Sequence, residues 1–455
     1  MKKYKPNIKY IIFFIYFFLC LVFFFTTSRG DTFVNYGFSY AIRLGQIPYK
    51  EFNMIITPLS PFIYSISLIL SKSIIFYYLF QSLLLTITTY FLFKLLDKKA
   101  WIFLLLWIVP YPVAICSTLF PGYNFLCFLL LIILFYLEEN KKSNYLIGII
   151  LGLLFCTKQT IGIALFIPTI YYLFKDRKKI IERFIGYITP IFILFIYLLL
   201  TNTFTTFIDL CFLGLLDFSN SNNQFDIFYL VLFIFSIIYL IRNVIKNNNI
   251  ISYYSLLFIV IALPIIDYYH VSILLLIVIY NILKNSKFKL DSKYIKYIII
   301  GIISLTSIWQ IIQINFFSNF SDKNKVIITN YNNFPLLVLS TKYNNKVKEL
   351  NNYTNKLDKE VIYLMRGSEN YFYKIINNKK ITYFDLPNYG NYGYKGTKRI
   401  INKLDNIHNK YIIIDINLLK DHNKSQQYIK ELAIKVNKEC KKKKVIGYYY
   451  IYYKE

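Results

Sequence analysis

Acid is scarce in this chain: 24 Asp and Glu stand against 52 Lys and Arg across 455 residues. Histidine is scarcer, and His270, His408 and His422 are too dispersed in sequence to form a zinc motif. Five of the six cysteines (Cys20, Cys116, Cys127, Cys156, Cys211) lie in or beside apolar segments, and only Cys440 sits in a polar stretch. That pattern gives neither a disulfide framework nor metal-ligand spacing. A clear internal repeat is also missing, which counts against the repeat-built transporters.

What the chain has in excess is hydrocarbon. Its 56% hydrophobic and 20% aromatic content exceeds the ~45–50% apolar share of ordinary soluble domains, so it reads as an integral membrane protein. The formal net charge is +28. Lys, Asn, Ile, Tyr and Phe rise together, as under an AT-rich coding bias, and the bases are scattered through short loops and the tail. This distribution marks membrane topology and composition bias, and not a nucleic-acid surface.

Tyr10 to Phe25 is an uninterrupted apolar run behind Lys2, Lys3, Lys5 and Lys9. It reads as a retained first transmembrane helix with a cytoplasmic N-terminus, since no small-residue cleavage site follows. The loop from Arg29 to Thr57 is then outside and carries two acids, Asp31 and Glu51. Within it Phe33, Tyr36, Tyr40, Ala41 and Leu44 recur at helical spacing, with Thr32, Asn35, Ser39 and Arg43 on the other side. This predicts a short amphipathic helix in the membrane interface. Asp31 falls at its start and Gly45 where it would stop, so Asp31 is either a helix cap or a catalytic group.

Apolar segments follow at about residues 59–70, 74–93, 101–116, 125–137, 145–174, 184–201, 227–241, 250–266, 271–283 and 294–317. With the first helix they predict about eleven crossings, many shorter than the ~20 residues that span a bilayer squarely. The basic loops 175–183, 242–246 and 284–296 are assigned to the cytoplasm, and loops 202–226 and 267–270 to the outside. Two topologies remain open for residues 58–175. Either 59–70 crosses, or it stops short and 145–174 is two half-length pieces broken at Thr157-Lys158-Gln159-Thr160. Both leave the tail outside.

From about Ser318 short β-branched or aromatic runs (361–364, 411–415, 445–453) alternate with helical stretches (346–357, 396–404, 426–436). The fold class is therefore mainly α: a polytopic helical bundle over residues 1–317 with a small C-terminal α/β extracytoplasmic domain over 318–455. The Gly-, Asn- and Tyr-rich loop Asp385–Gly396 fits a turn-rich connection or a glycan contact.

Asp31, then Ala41-Ile-Arg-Leu-Gly45, Ile47-Pro-Tyr-Lys-Glu-Phe52 and Thr57-Pro-Leu59, taken in that order, resembles the opening of the GT-C membrane glycosyltransferases. Gly148–Pro168 and Pro264–His270 are similar to two later segments of that superfamily. The match departs at Ile55-Ile56-Thr57, where the aminoarabinose-type enzymes carry Lys. The resemblance implies an inverting sugar transfer from a polyprenyl-phosphate donor to a glycan, lipid or protein acceptor at the plasma membrane. It makes Asp31 the general base and Glu51 a second acid, helping to hold the acceptor or a divalent cation (Mg2+ or Mn2+), the one cofactor candidate.

Lys158 is the only charge between Lys142 and Lys175. It is a candidate for the carrier phosphate, or it snorkels to the interface. His270 and Arg43 are weaker phosphate candidates, with an aromatic-belt position and a solvated charge as their plain readings. Tyr49, in the Pro-Tyr turn, joins them as a substrate-binding candidate. Asp209, Asp217 and Asp226 border the other large outer loop as solvated acids, one of which could join Asp31. Rival classes are a flippase or exporter for lipid-linked glycans, and a glycan polymerase or ligase.

Overall fold

The computed structural model describes residues 8–27, 31–102, 121–173, 177–222, 227–263, 265–286, 326–365, 367–386, 390–416 and 427–455. It is mainly helical, with a small sheet region at the C-terminus. Helix α1 (Ile8–Thr27) is followed by α2 (Asp31–Arg43), α3 (Leu59–Ser67) and α4 (Ile74–Leu96). Then come α5 (Tyr123–Glu139), α6 (Asn144–Thr157), α7 (Gln159–Leu173) and α8 (Arg177–Leu200). A segment of α9 (Phe204–Ile208), a π-helical turn (Asp209–Leu213) and α10 (Gly214–Asn222) leads to α11 (Ile227–Asn247). The bundle closes with α12 (Ile250–Leu257), a 3-10 turn (Phe258–Ala262) and α13 (Tyr268–Asn285).

Among the described residues three helices, α4, α8 and α11, are long and apolar enough to cross a membrane. Helices α8 and α11 turn Phe184, Phe192, Ile193, Val231 and Ile238 outward, an apolar exterior that suits lipid and not water. That count falls short of the expected eleven crossings. Several other apolar segments fold as shorter helices: α5 has 17 residues, α6 has 14 and α7 has 15. Segment 59–70 yields only the nine-residue α3. Segment 294–317, and 101–116 beyond Ile102, lie outside the described residues.

The break expected at Thr157–Thr160 is present. Lys158 leaves the helical region at φ −150° and ends α6, and α7 restarts at Gln159. Helices α6 and α8 run parallel in close contact, because Gly148 and Gly152 admit the backbones of Arg183 and Tyr187 where a Cβ would overlap them. Small residues one turn apart allow such packing in a membrane. Helix α7 therefore folds back as the second arm of a hairpin. Helices α12 and α13 make a second hairpin, tied along its length by Asn281 Nδ2 donating to Ser255 Oγ at 3.0 Å.

Charged groups gather at the open end of both hairpins. Arg183 holds Glu138 through two hydrogen bonds of 2.7 and 3.0 Å. Lys284 reaches Glu139 at 2.7 Å, and Lys99 donates to the Leu283 carbonyl at 2.9 Å. Loops 94–99 and 138–142 thus lie at the same end as 175–183. This is the arrangement in which 59–70 stops short and 145–174 is two pieces.

The tail carries an antiparallel hairpin, β1 (Val326–Tyr331) and β2 (Phe334–Ser340), and a four-stranded sheet. The sheet consists of β3 (Val361–Leu364), β4 (Lys410–Asp415), β5 (Lys441–Ile446) and β6 (Tyr449–Lys454) in the order β3-β4-β6-β5. Its one parallel pair is β3 with β4. Helices α14 (Thr341–Thr354), α15 (Gly367–Ile376), α16 (Gly396–Asp405) and α17 (Gln427–Glu439) complete it. The single strand expected at 445–453 is instead the end of β5 and all of β6. Gly447, at φ +58°, turns the chain between them, as a two-residue hairpin link requires.

Candidate functional site

Helix α2 starts at Asp31, as its sequence pattern predicts. It ends in a turn where Gly45 N meets the Ile42 carbonyl and Gln46 N the Ala41 carbonyl, with Gly45 at φ +79°. Its expected place, half exposed in the interface, is corrected by the packing. Thr32 and Ser39 on the polar side are buried, as are Phe33, Tyr36, Tyr40 and Ala41 on the apolar side. One side of the helix meets the bundle, where the Tyr36 and Tyr77 rings pack edge to face, and the other meets tail helix α15, where Phe38 packs on Tyr371.

The two acids of this loop have different surroundings. Glu51 lies in the turn that follows α2, where its neighbour Phe52 stacks on Phe38 of that helix. Its carboxylate accepts from Ile47 N at 2.7 Å and stands 3.6 Å from Lys380 of the tail. Tyr49, at φ +67°, is buried and donates to the Ile56 carbonyl at 2.6 Å, with Cys211 Sγ 3.6 Å from its hydroxyl. Burial pushes this hydroxyl's pKa well above its ordinary value. Arg43 is exposed and its Nε donates to the Leu68 carbonyl at 2.9 Å. These three residues brace the loop at the C-terminal end of α2 through those contacts. The side chain of Asp31 lies outside the described residues.

At the N-terminal end the neighbours are different. Asn35, one turn after Asp31 on the same helix face, packs against Gly122 with its Nδ2 3.2 Å from where a Cβ would stand. Tyr123 begins α5, and the Lys158 ammonium lies 5.7 Å from the centre of its ring. Lys158 is only 9% exposed and donates to the Ile261 carbonyl at 2.9 Å. Asp267, the N-cap of α13, is close enough for its charge to act on Lys158. Its Oδ1 accepts from His270 N at 3.0 Å and lies 2.6 Å from His270 Nδ1. With Nδ1 donating, the lone pair of a neutral His270 is on Nε2.

Lys158 thus joins the tips of both hairpins to the start of α5. Three helix N-termini, those of α5, α7 and α13, lie near it; that of α13 is already capped by Asp267, and the amide ends of α5 and α7 favour negative charge. The opposing C-terminus of α6 is partly neutralised, since Thr57 Oγ1 donates to the Phe155 carbonyl at 3.0 Å. Of the residues singled out in the sequence, Lys158 and His270 are both linked to Asp267 here. Sequence reading gave no role to Asn35, Asn124 or Gln159; polar residues at the edges of apolar segments, as Asn124 and Gln159 are, were the available signal.

Asp209 and Asp217 are not solvated loop acids. Asp209 holds Arg399 and accepts from Tyr394 N at 3.1 Å, and Asp217 accepts from Lys395 N at 2.6 Å. They receive the Asp385–Gly396 loop, so its described part is a docking turn against the bundle. Asp226 lies outside the described residues. Among the described residues no group of three or more His, Cys, Asp or Glu could hold a metal ion, and Glu51 is committed elsewhere, so we derive no step through a divalent cation. Set against family models, curated proteins and solved structures, the chain has no match.

Proposed function

We propose that the chain is a membrane glycosyltransferase that moves a sugar from a polyprenyl-phosphate donor to an extracytoplasmic glycan, lipid or protein acceptor. One observation carries this reading: a buried lysine close to the N-termini of three helices, α5, α7 and α13, with Asn35 of α2 packed on the start of α5. Lys158 and the helix ends hold the phosphate, and His270, as the imidazolium whose Nδ1–H is on Asp267, donates its Nε2–H as a second contact. As the bond from the anomeric carbon to the phosphate oxygen breaks, the acceptor oxygen attacks from the opposite side. Its proton passes to the Asp31 carboxylate, and the single displacement inverts the anomeric centre. A phosphate leaves without acid assistance, whereas the acceptor hydroxyl needs a base, typically worth ~100- to 10,000-fold.

The basic hairpin bases belong to the cytoplasmic side under the positive-inside pattern. In this reading about eleven short segments cross, the N-terminus is cytoplasmic, and α2 and the tail share the outer side. The second reading is a carrier for lipid-linked glycans. It is favoured by the two hairpins that meet at Lys158 and Ile261, since paired discontinuous helices build transporter sites.

The test is transfer of radiolabelled sugar from polyprenyl-phosphate donors by the purified protein. Asp31→Asn and Lys158→Met should each lose at least about 100-fold while remaining folded. Full activity in Asp31→Asn removes it as base. Movement of the lipid across proteoliposomes without any sugar transfer replaces the enzyme with the carrier.

A further inference from the structure

Gln159 is 3% exposed. Its amide is anchored at one end, where Nε2 donates to the carbonyl of Cys211 inside the π-helical turn. That anchor fixes the orientation of the amide and leaves Oε1 as the other end, buried and without a hydrogen-bond partner. Two more buried polar atoms within two residues of the Lys158–Tyr123 contact in sequence are in the same condition, Asn124 Oδ1 and Thr160 Oγ1. A buried unsatisfied oxygen is costly, and native proteins hold few of them. Here three fall on the two segments, 158–160 and the start of α5, that the Lys158–Tyr123 contact joins. A π-turn is itself uncommon and concentrates at functional sites.

Amide oxygens accept and do not donate, so Gln159 and Asn124 call for a ligand rich in O–H or N–H groups. The phosphate of the proposed donor has neither, because as an anion it accepts. We infer that Gln159, with Asn124 and Thr160, forms a subsite for the hydroxyl or acylamino groups of the transferred sugar, beside the phosphate held by Lys158. The inference rests on the proposed function and adds a specificity-determining role for these residues. It divides the donor between two kinds of contact: cation and helix ends for the phosphate, carbonyl oxygens for the sugar.

Binding separates these contacts without requiring turnover. Full-length protein in neutral-lipid nanodiscs is titrated with polyprenyl phosphate and with polyprenyl-phosphate hexose, using wild type, Gln159→Met, Thr160→Val and Lys158→Met, each checked for an unchanged unfolding midpoint. Wild type should prefer the hexose lipid. Gln159→Met should weaken the hexose lipid about tenfold and leave the bare lipid unchanged, Thr160→Val should do the same to a smaller extent, and Lys158→Met should weaken both. Equal affinity of wild type for the two lipids, or equal weakening of both by Gln159→Met and Thr160→Val, overturns the subsite. Should Gln159→Met unfold, Thr160→Val and the wild-type preference decide. A wild-type preference without any sugar transfer would keep the subsite and remove the enzyme.

Discussion

Gln46 and Ile381 clasp each other across 335 residues of chain: the Gln46 amide donates to the Ile381 carbonyl at 2.7 Å, and Ile381 N returns a bond to its Oε1 at 3.0 Å. This buried reciprocal pair fastens the tail to the end of α2. Asn53, donating to the Asn391 carbonyl at 2.8 Å, and Ile74 N, meeting the Asn333 carbonyl at 2.9 Å, fasten it further along. The loop and the tail are therefore one packed unit.

Gln46→Ala should loosen the tail. It strands the amide and carbonyl of Ile381 in a dry contact, at about 1–3 kcal/mol for each unsatisfied group. Faster hydrogen exchange over residues 378–386, with the bundle unaffected, is the expected readout. Unchanged exchange there would show that the clasp is not what holds this end.

Gly393→Ala should undock the 390–396 turn more strongly than Arg399→Ala. Gly393 sits at φ +79°, and a Cβ would overlap the Asp209 carboxylate. Arg399 is about half exposed, and a pair of that kind contributes ~0.2–1 kcal/mol, less in high salt. Protease cutting near residue 394 compares the two variants.

Arg183→Met should cost about 3–5 kcal/mol, because it leaves Glu138 uncompensated. The two side chains are 9% and 8% exposed. Adding Glu138→Gln should restore most of the loss, and thermal unfolding of the three proteins in detergent measures it. A single variant as stable as wild type would mean that water already reaches Glu138.

Asp385 provides a pH signature in the tail. Burial pushes its carboxyl above the usual carboxylate range, against the pull of Lys374 3.8 Å away. The folded tail therefore binds this proton more tightly than the unfolded chain. Its contribution is complete below the unfolded value near 3.8 and is lost as pH rises through the folded value. Hydrogen exchange in β3 and β4, corrected for intrinsic rate, should show more protection at pH 5 than at pH 7. Asp385→Asn should flatten that difference, and an equal difference in the variant would assign it to other groups.

Much was legible in the sequence because it is local. Hydrocarbon content marked the membrane class, helical spacing between Asp31 and Gly45 marked α2, and β-branched runs marked β3 and β4. A lone lysine inside an apolar stretch marked the break at Lys158. Tertiary structure alone decided what meets what. It buried both faces of α2, turned Glu51 and Tyr49 into loop braces, gave Asp209 to the tail, and brought Lys158, Asp267 and His270 to one point. Periodicity records which face of a helix is apolar, whereas the partners of a side chain come from segments a hundred or more residues away. Only packing selects among them.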